Sequence, residues 1–180
     1  MPTERDLIRG CKRQHPPSQE ALYRRYWSFA MAVGLRYAPT RDDALELCHD
    51  AFLNAFRAMD LVDEDRPFGP WFRQVLVRCA VDRHRSVRRY HAAVEPMADP
   101  PDAGVAPEHS VALEADDILR LLGRLPDVQR DVFNLHEVDG YSHDEIADLL
   151  GIAPGSSRSA LARARRTLQT LYTHHARTLP

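Results

Sequence analysis

Seven side chains near the C-terminus carry the clearest chemistry in this chain: Ser156, Ser157, Arg158, Ser159, Arg163, Arg165 and Arg166, all within "GSSRSALARARRTLQTLY". Advanced by 100° per residue as a helix, Ser157, Ala160, Leu161, Ala164, Leu168, Leu171 and Tyr172 share one arc, with Arg158, Arg165 and Arg166 roughly opposite. One face therefore packs and the other meets an anion. No Asp or Glu follows Asp148, so the positive field is uncancelled, and the serines sit where the free N–H groups of a helix N-terminus bind phosphate. Just upstream, "YSHDEIADLLG" supplies Ser142 and Glu145 as an S-x-x-E capping box and Gly151 as the turn residue. A short capped helix, a turn and an arginine helix form the pattern of a helix-turn-helix whose second helix enters the DNA major groove, with arginines on phosphate and the leading serines near base edges. A solvated arginine face on a bundle helix is the competing reading.

A second basic cluster, Arg83, Arg85, Arg88 and Arg89 in "DRHRSVRRYH", follows a stretch containing Phe68, Trp71 and Phe72. Cations interleaved with aromatics suit single-stranded nucleic acid, whose bases stack on rings while the backbone tracks the charge. Trp71 itself is read as core. Catalysis is not indicated: Cys48, His49 and Asp50 are adjacent, so on a helix they point about 100° apart and form no nucleophile–base pair. Cys11, Cys48 and Cys79 lie too far apart for a C-x-x-C metal pair and are read as reduced and mostly buried. No catalytic residue, metal or cofactor is expected.

The elements that must position these groups are helical. The chain has 180 residues, 44% hydrophobic and 28% charged, with a net charge of -2, which suits one or two globular domains. The charge is unevenly spread. Residues 1–91 carry an excess of bases, residues 92–117 are acidic with no base at all, and residues 118–180 hold the arginine helix. The middle stretch, rich in proline, small residues and carboxylates, cannot bury enough apolar surface to order itself and reads as a flexible linker. Before it, Leu22, Tyr26, Phe29, Ala30 and Val33, then Ala44, Leu47, Ala51, Phe52, Ala55 and Phe56, recur at helical intervals, with Ser18 as N-cap of the first run. The loop "DLVDEDRPFGP" precedes a helix that buries Trp71, Phe72, Val75, Leu76 and Cys79. After the linker, Asp116 or Asp117 caps one helix and Pro126 opens another that Gly140 ends. The fold class is all-α: two small helical domains, the second a four-helix, winged-helix-like helix-turn-helix domain. No apolar run approaches the roughly 18 residues of a membrane span, and the charged start "MPTERDLIRGCKRQ" lacks a signal peptide's apolar stretch. A cytoplasmic protein without membrane insertion is expected.

Three stretches resemble the extracytoplasmic-function (ECF) group of bacterial RNA polymerase sigma factors, in the sigma-70 family. "ALELCHDAF", Ala44 to Phe52, is similar to A-E-D-L-x-Q-x-x-F, with Glu46 in place of Asp and His49 in place of Gln. "WFRQVLVRCAVDRHRSVRR" resembles W-L-x-x-I-A-x-N followed by bases, with Cys79 for Asn. "LPDVQRDVFNL" through "SSRSALARAR" is similar to the run from L-P-x-x-x-R-x-V-F-x-L to G-T-V-K-S-R-L-x-R-A-R, with Ser157 for a buried Val and Ala160 for an Arg. The resemblance implies that core RNA polymerase is bound, through its largest-subunit clamp helices, by Glu46, His49, Asp50 and Asn54. It implies that Arg66, Phe68, Arg78, Arg83, Arg85, Arg88 and Arg89 serve the opened −10 element, an unstacked base being captured near the loop from Asp60 to Pro70. It also implies that the C-terminal helix reads the −35 element, that the linker threads toward the RNA exit path, and that an anti-sigma protein is a partner. A self-standing helix-turn-helix regulator, with no need of polymerase, is the alternative.

Overall fold

The computed structural model describes the backbone of residues 2–94 and 115–178 and the side chains of residues 2–86 and 116–174. The acidic linker lies largely outside the described residues, as do the side chains of Arg88 and Arg89. Among the described residues there are eight α-helices and no strand: α1 Glu4–Lys12, α2 Pro16–Tyr37, α3 Arg41–Arg57, α4 Phe68–Val94, α5 Ala115–Gly123, α6 Asp127–Phe133, α7 His143–Leu150 and α8 Pro154–Thr178. None is long and apolar enough to cross a membrane. The chain divides into two compact units, Met1–Ala80 and Val81–Pro180, the division falling inside α4.

In the first unit α2 and α3 bury the two stripes that their periodicity marks, with Leu22, Ala30, Val33, Ala44, Leu47, Ala51, Phe52 and Ala55 closed to solvent. Their close approach depends on Gly34, where an added Cβ would lie 3.0 Å from Cys48 Sγ and 3.3 Å from the Ala44 carbonyl. Helix α2 starts earlier than a Ser18 cap requires, because proline with its fixed φ occupies the first turn. Helix α1 was not foreseen; Thr3 and Asp6 form its capping box. One carboxylate ties it down: Glu4 accepts the Tyr26 hydroxyl at 2.5 Å and the Phe68 backbone N–H at 2.9 Å. The second bond satisfies an otherwise orphaned donor at the start of α4, and burial together with Glu4 pushes the Tyr26 phenol up from its usual range.

The second unit packs Leu122 and Leu125 against Ala164, with Phe133 and Leu168 at the margin. Pro126 sits at the N-cap of α6, one position before the first turn. Helix α6 runs on into a π-helical turn, Asn134–Val138. Arg130 is 1% exposed, its guanidinium donating to the Leu125 carbonyl at 3.1 Å and to Asp127 at 2.5 Å. His84 Nδ1 lies 2.8 Å from both carboxylate oxygens of buried Asp131, whose carboxyl burial pushes up against the pull of His84. Helix α7 begins with the expected box: Ser142 accepts from the Glu145 backbone N–H, and Glu145 accepts from the Ser142 N–H at 2.8 Å. It ends at Gly151, whose φ of 65° is left-handed, the conformation that glycine adopts without a Cβ penalty.

Candidate nucleic-acid interface

Gly151 turns the chain immediately after α7, and α8 starts at Pro154. Ser156, Arg158, Ser159, Arg163, Arg165 and Arg166 are all exposed on it, while Ala160, Leu161 and Ala164 are buried. Ser157, expected among the DNA contacts, is fully buried instead. Its Oγ lies 2.9 Å from His143 Nδ1, which agrees with its place on the packing arc. Arg165 is also engaged: its Nε donates to Glu137 Oε1 at 3.0 Å, and a terminal guanidinium nitrogen reaches the same oxygen. That pair, 28 positions apart, had no local signature in the sequence. The rest of the exposed face presents Arg158, Arg163 and Arg166 around the two leading serines, an arrangement able to hold phosphates on either side of a groove.

The arginines expected on the opened strand fall in both units. Arg78 is exposed on α4 in the first unit. Arg83 is half-buried, and Arg85, in the second unit, rests its guanidinium beside the α7–α8 turn, 3.5 Å from the Leu149 carbonyl. Upstream, residues 61–74 line a cavity of about 440 Å³ formed by Leu61, Val62, Asp63, Arg66, Trp71 and Gln74 with two prolines. Arg66 forms one wall, held 3.2 Å from Asp63. Phe68 does not contribute: it is 1% exposed, packed against Tyr26, Trp71 and Phe72 with centroids 4.9–5.5 Å away. Trp71, read as core, is half-buried and lines the cavity. Alternation of burial on the first turns of α4 explains the exchange, since Phe68 and Phe72 share an inward face at i, i+4 spacing and Trp71 flanks it.

Helix α1 holds this loop from behind. Arg9 grips Glu64 with two bonds of 3.0 and 2.9 Å, and Arg5 reaches Asp65 at 3.1 Å. Each partner favours the other's charged form, holding the Glu64 carboxyl below its ordinary value.

On α3, Glu46, His49, Asp50 and Asn54 are all exposed along one face, joined by Leu53 at 53% exposure. The His49 ring stacks on Trp27 and Tyr23, at 5.5 and 6.5 Å between centroids. Asn54 donates to Cys79 Sγ at 3.2 Å. The stripe therefore offers a carboxylate pair beside an apolar knob on one face of α3. Among the described residues no group of three or more His, Cys, Asp or Glu side chains comes together as a metal site.

Known proteins show the same two parts in the same order. Residues 22–90 match the family described as Sigma-70 region 2, and residues 115–168 match Sigma-70, region 4. The RNA polymerase sigma factor NccH of Alcaligenes xylosoxydans xylosoxydans is 31% identical over 155 residues, covering 79% of this chain and 80% of that protein. The ECF RNA polymerase sigma factor SigM of Mycobacterium tuberculosis is 29% identical over 153 residues, covering 84% and 76%. Among solved structures, the sigma factor RpoE from Bartonella quintana, in complex with the anti-sigma factor NepR, shares the fold with a TM-score of 0.52 at 20% identity, over 86% of this chain and 96% of that one. Nothing in these findings favours the self-standing regulator. With both regions present in order and NccH matched over four fifths of its length, the chain belongs to the sigma-70 family, in its ECF group, and is a promoter-recognition subunit that binds core RNA polymerase.

Proposed function

We propose a division of labour among three surfaces. The exposed face of α8, with Ser156 and Ser159 leading and Arg158, Arg163 and Arg166 behind, reads −35 duplex, while Arg165 is held by Glu137. The cavity beside Trp71, with Arg66 and Arg78, takes a base of the opened −10 strand, and the cluster Arg83, Arg85, Arg88 and Arg89 serves the backbone of that element. Glu46, His49, Leu53, Asp50 and Asn54 dock on the clamp helices of the polymerase largest subunit. Polymerase fixes the spacing between the two DNA sites, so each contact acts at the high effective concentration that tethering supplies. The observation that carries the reading is the cavity of about 440 Å³ walled by Trp71 and Arg66, within the size range of small-molecule sites and combining a ring for stacking with a cation for phosphate. The protein acts in the cytoplasm by binding alone, with no catalytic step, cofactor or metal of its own. The Bartonella sigma factor is held by an anti-sigma factor, and a protein of that kind is a partner here as well.

Trp71→Ala tests the cavity. Base–aromatic stacking is worth about 1–3 kcal/mol, so the holoenzyme carrying this variant should show an open-complex equilibrium constant roughly 5- to 150-fold lower, read by permanganate reactivity of −10 thymines, while its −35 duplex affinity stays unchanged. Undiminished opening, or a parallel loss of polymerase binding, would remove the cavity from promoter melting.

A further inference from the structure

Three segments of the helix-turn-helix meet at one imidazole. His143, the first residue of α7, places Nδ1 2.9 Å from Oγ of Ser157 in the first turn of α8, and Ser157 is 0% exposed. From the π-helical turn, the ring of His136 stacks on His143 with centroids 4.7 Å apart and planes 24° from parallel. The same turn carries Glu137, 3.6 Å from His136 Nδ1 and bound to Arg165 of α8. The outward face of α8 is therefore braced at two points along its length: by buried Ser157 on the packed side and by the exposed Arg165 through Glu137. A hydroxyl can donate to or accept from an imidazole nitrogen, so the Ser157 tie holds in either protonation state of His143. Burial and the nearby His136, Arg158 and Arg165 charges pull the His143 pKa below its ordinary value, opposed by Asp144.

We infer that His143 is a positioning residue for promoter recognition: by engaging buried Ser157 it sets the rotation of α8 about its axis, and so decides which of Ser156, Arg158 and Ser159 face base edges. The inference rests on the reading of α8 as the −35 reader. Its physical basis is that a recognition helix discriminates bases only when its side chains hold their places to a fraction of an ångström, and that a buried hydroxyl without its partner destabilises the packing that holds it. The hydrogen-bonded His143–Ser157 pair takes over at the position where the family pattern has a buried valine, and His136 keeps the imidazole from swinging away.

A double-substitution cycle in the reconstituted holoenzyme tests this, using competition among −35 duplexes that differ by single base pairs. His143→Ala should reduce discrimination between the preferred and the single-mismatch duplexes by about tenfold while leaving polymerase binding and −10 preference intact. His143→Asn, which retains a polar group for the hydroxyl, should recover most of the discrimination. In a Ser157→Val background, where no hydroxyl awaits a partner, His143→Ala should cost little further, the signature of direct coupling. Equal losses from His143→Ala with and without Ser157→Val, or no recovery with His143→Asn, would overturn the positioning role. Arg158→Gln and Ser159→Ala serve as controls for the underlying reading. If they shift −35 discrimination and His143→Ala does not, the inference alone fails; if neither they nor His143→Ala shift it, the assignment of α8 to −35 fails with it.

Discussion

Replacing Arg158, Arg163 and Arg166 together by Gln should flatten the salt dependence of −35 binding. All three are exposed on α8, and glutamine keeps the helix-forming, unbranched character of arginine while removing the charge. Each neutralised phosphate contributes about 0.9 to the slope of log affinity against log salt, so losing three contacts lowers the slope by about 2.7. Across a fourfold rise from about 50 to about 200 mM, the wild type should then lose roughly 40-fold more affinity than the variant. Fluorescence anisotropy of a labelled −35 duplex titrated with holoenzyme reads this directly, and the difference between the two slopes cancels the contribution of the polymerase. Circular dichroism with unchanged helical signal establishes that α8 persists. An identical slope in the variant would refute the reasoning, because it would mean that none of these cations meets a phosphate.

Glu137→Gln removes the carboxylate that holds Arg165, so it should release that guanidinium to the DNA and steepen the slope by up to about one unit in the same titration. Ser142→Ala removes the cap of α7 and should destabilise the second unit by about 1 kcal/mol in urea unfolding. The Ser142 backbone N–H and then its hydroxyl hold the Glu145 carboxyl below its ordinary value; alanine keeps the backbone donor, so only the hydroxyl's share, present above the unfolded carboxylate pKa and lost as pH falls through the depressed folded one, enters the wild-type-minus-variant difference, and a difference that instead grew in acid would contradict the box. Burial pushes the Cys11 and Cys48 thiols up to about 11, leaving roughly one in a thousand ionised at pH 8. A disulfide reagent at that pH should therefore label half-buried Cys79 first, with the other two following only on unfolding or as pH approaches the raised values.

The elements that were legible in the sequence are those with strong local chemistry. Ser142 and Glu145 announced α7, Gly151 announced its end, and the apolar arcs of α2, α3 and α8 announced what they bury. Helix α1 escaped because nine residues with two capping side chains make a weak periodic signal, although T-x-x-D at Thr3 and Asp6 was the available clue. Its importance is tertiary: Arg5, Arg9 and Glu4 acquire meaning only from Glu64, Asp65 and Phe68, some 55 to 64 positions away. The inward turn of Phe68 and the half-exposure of Trp71 were hidden for a related reason. Both rings lie in one aromatic run, and only the rotation of the α4 start decides which of them packs. Ser157 could be placed on the buried arc by the helical angle, but its partner His143, in the preceding helix, is a tertiary neighbour that spacing does not reveal.

The most direct test of the divided roles is transcription from a library of randomised upstream sequences by polymerase reconstituted with the wild-type chain, with Ser156→Ala/Ser159→Ala, or with Trp71→Ala, followed by sequencing of the promoters that yield transcripts. The account predicts that the serine variant changes only the −35 preference and the tryptophan variant only the −10 preference. Selected promoters in which both variants alter the same element, or in which the two effects are exchanged, would contradict it.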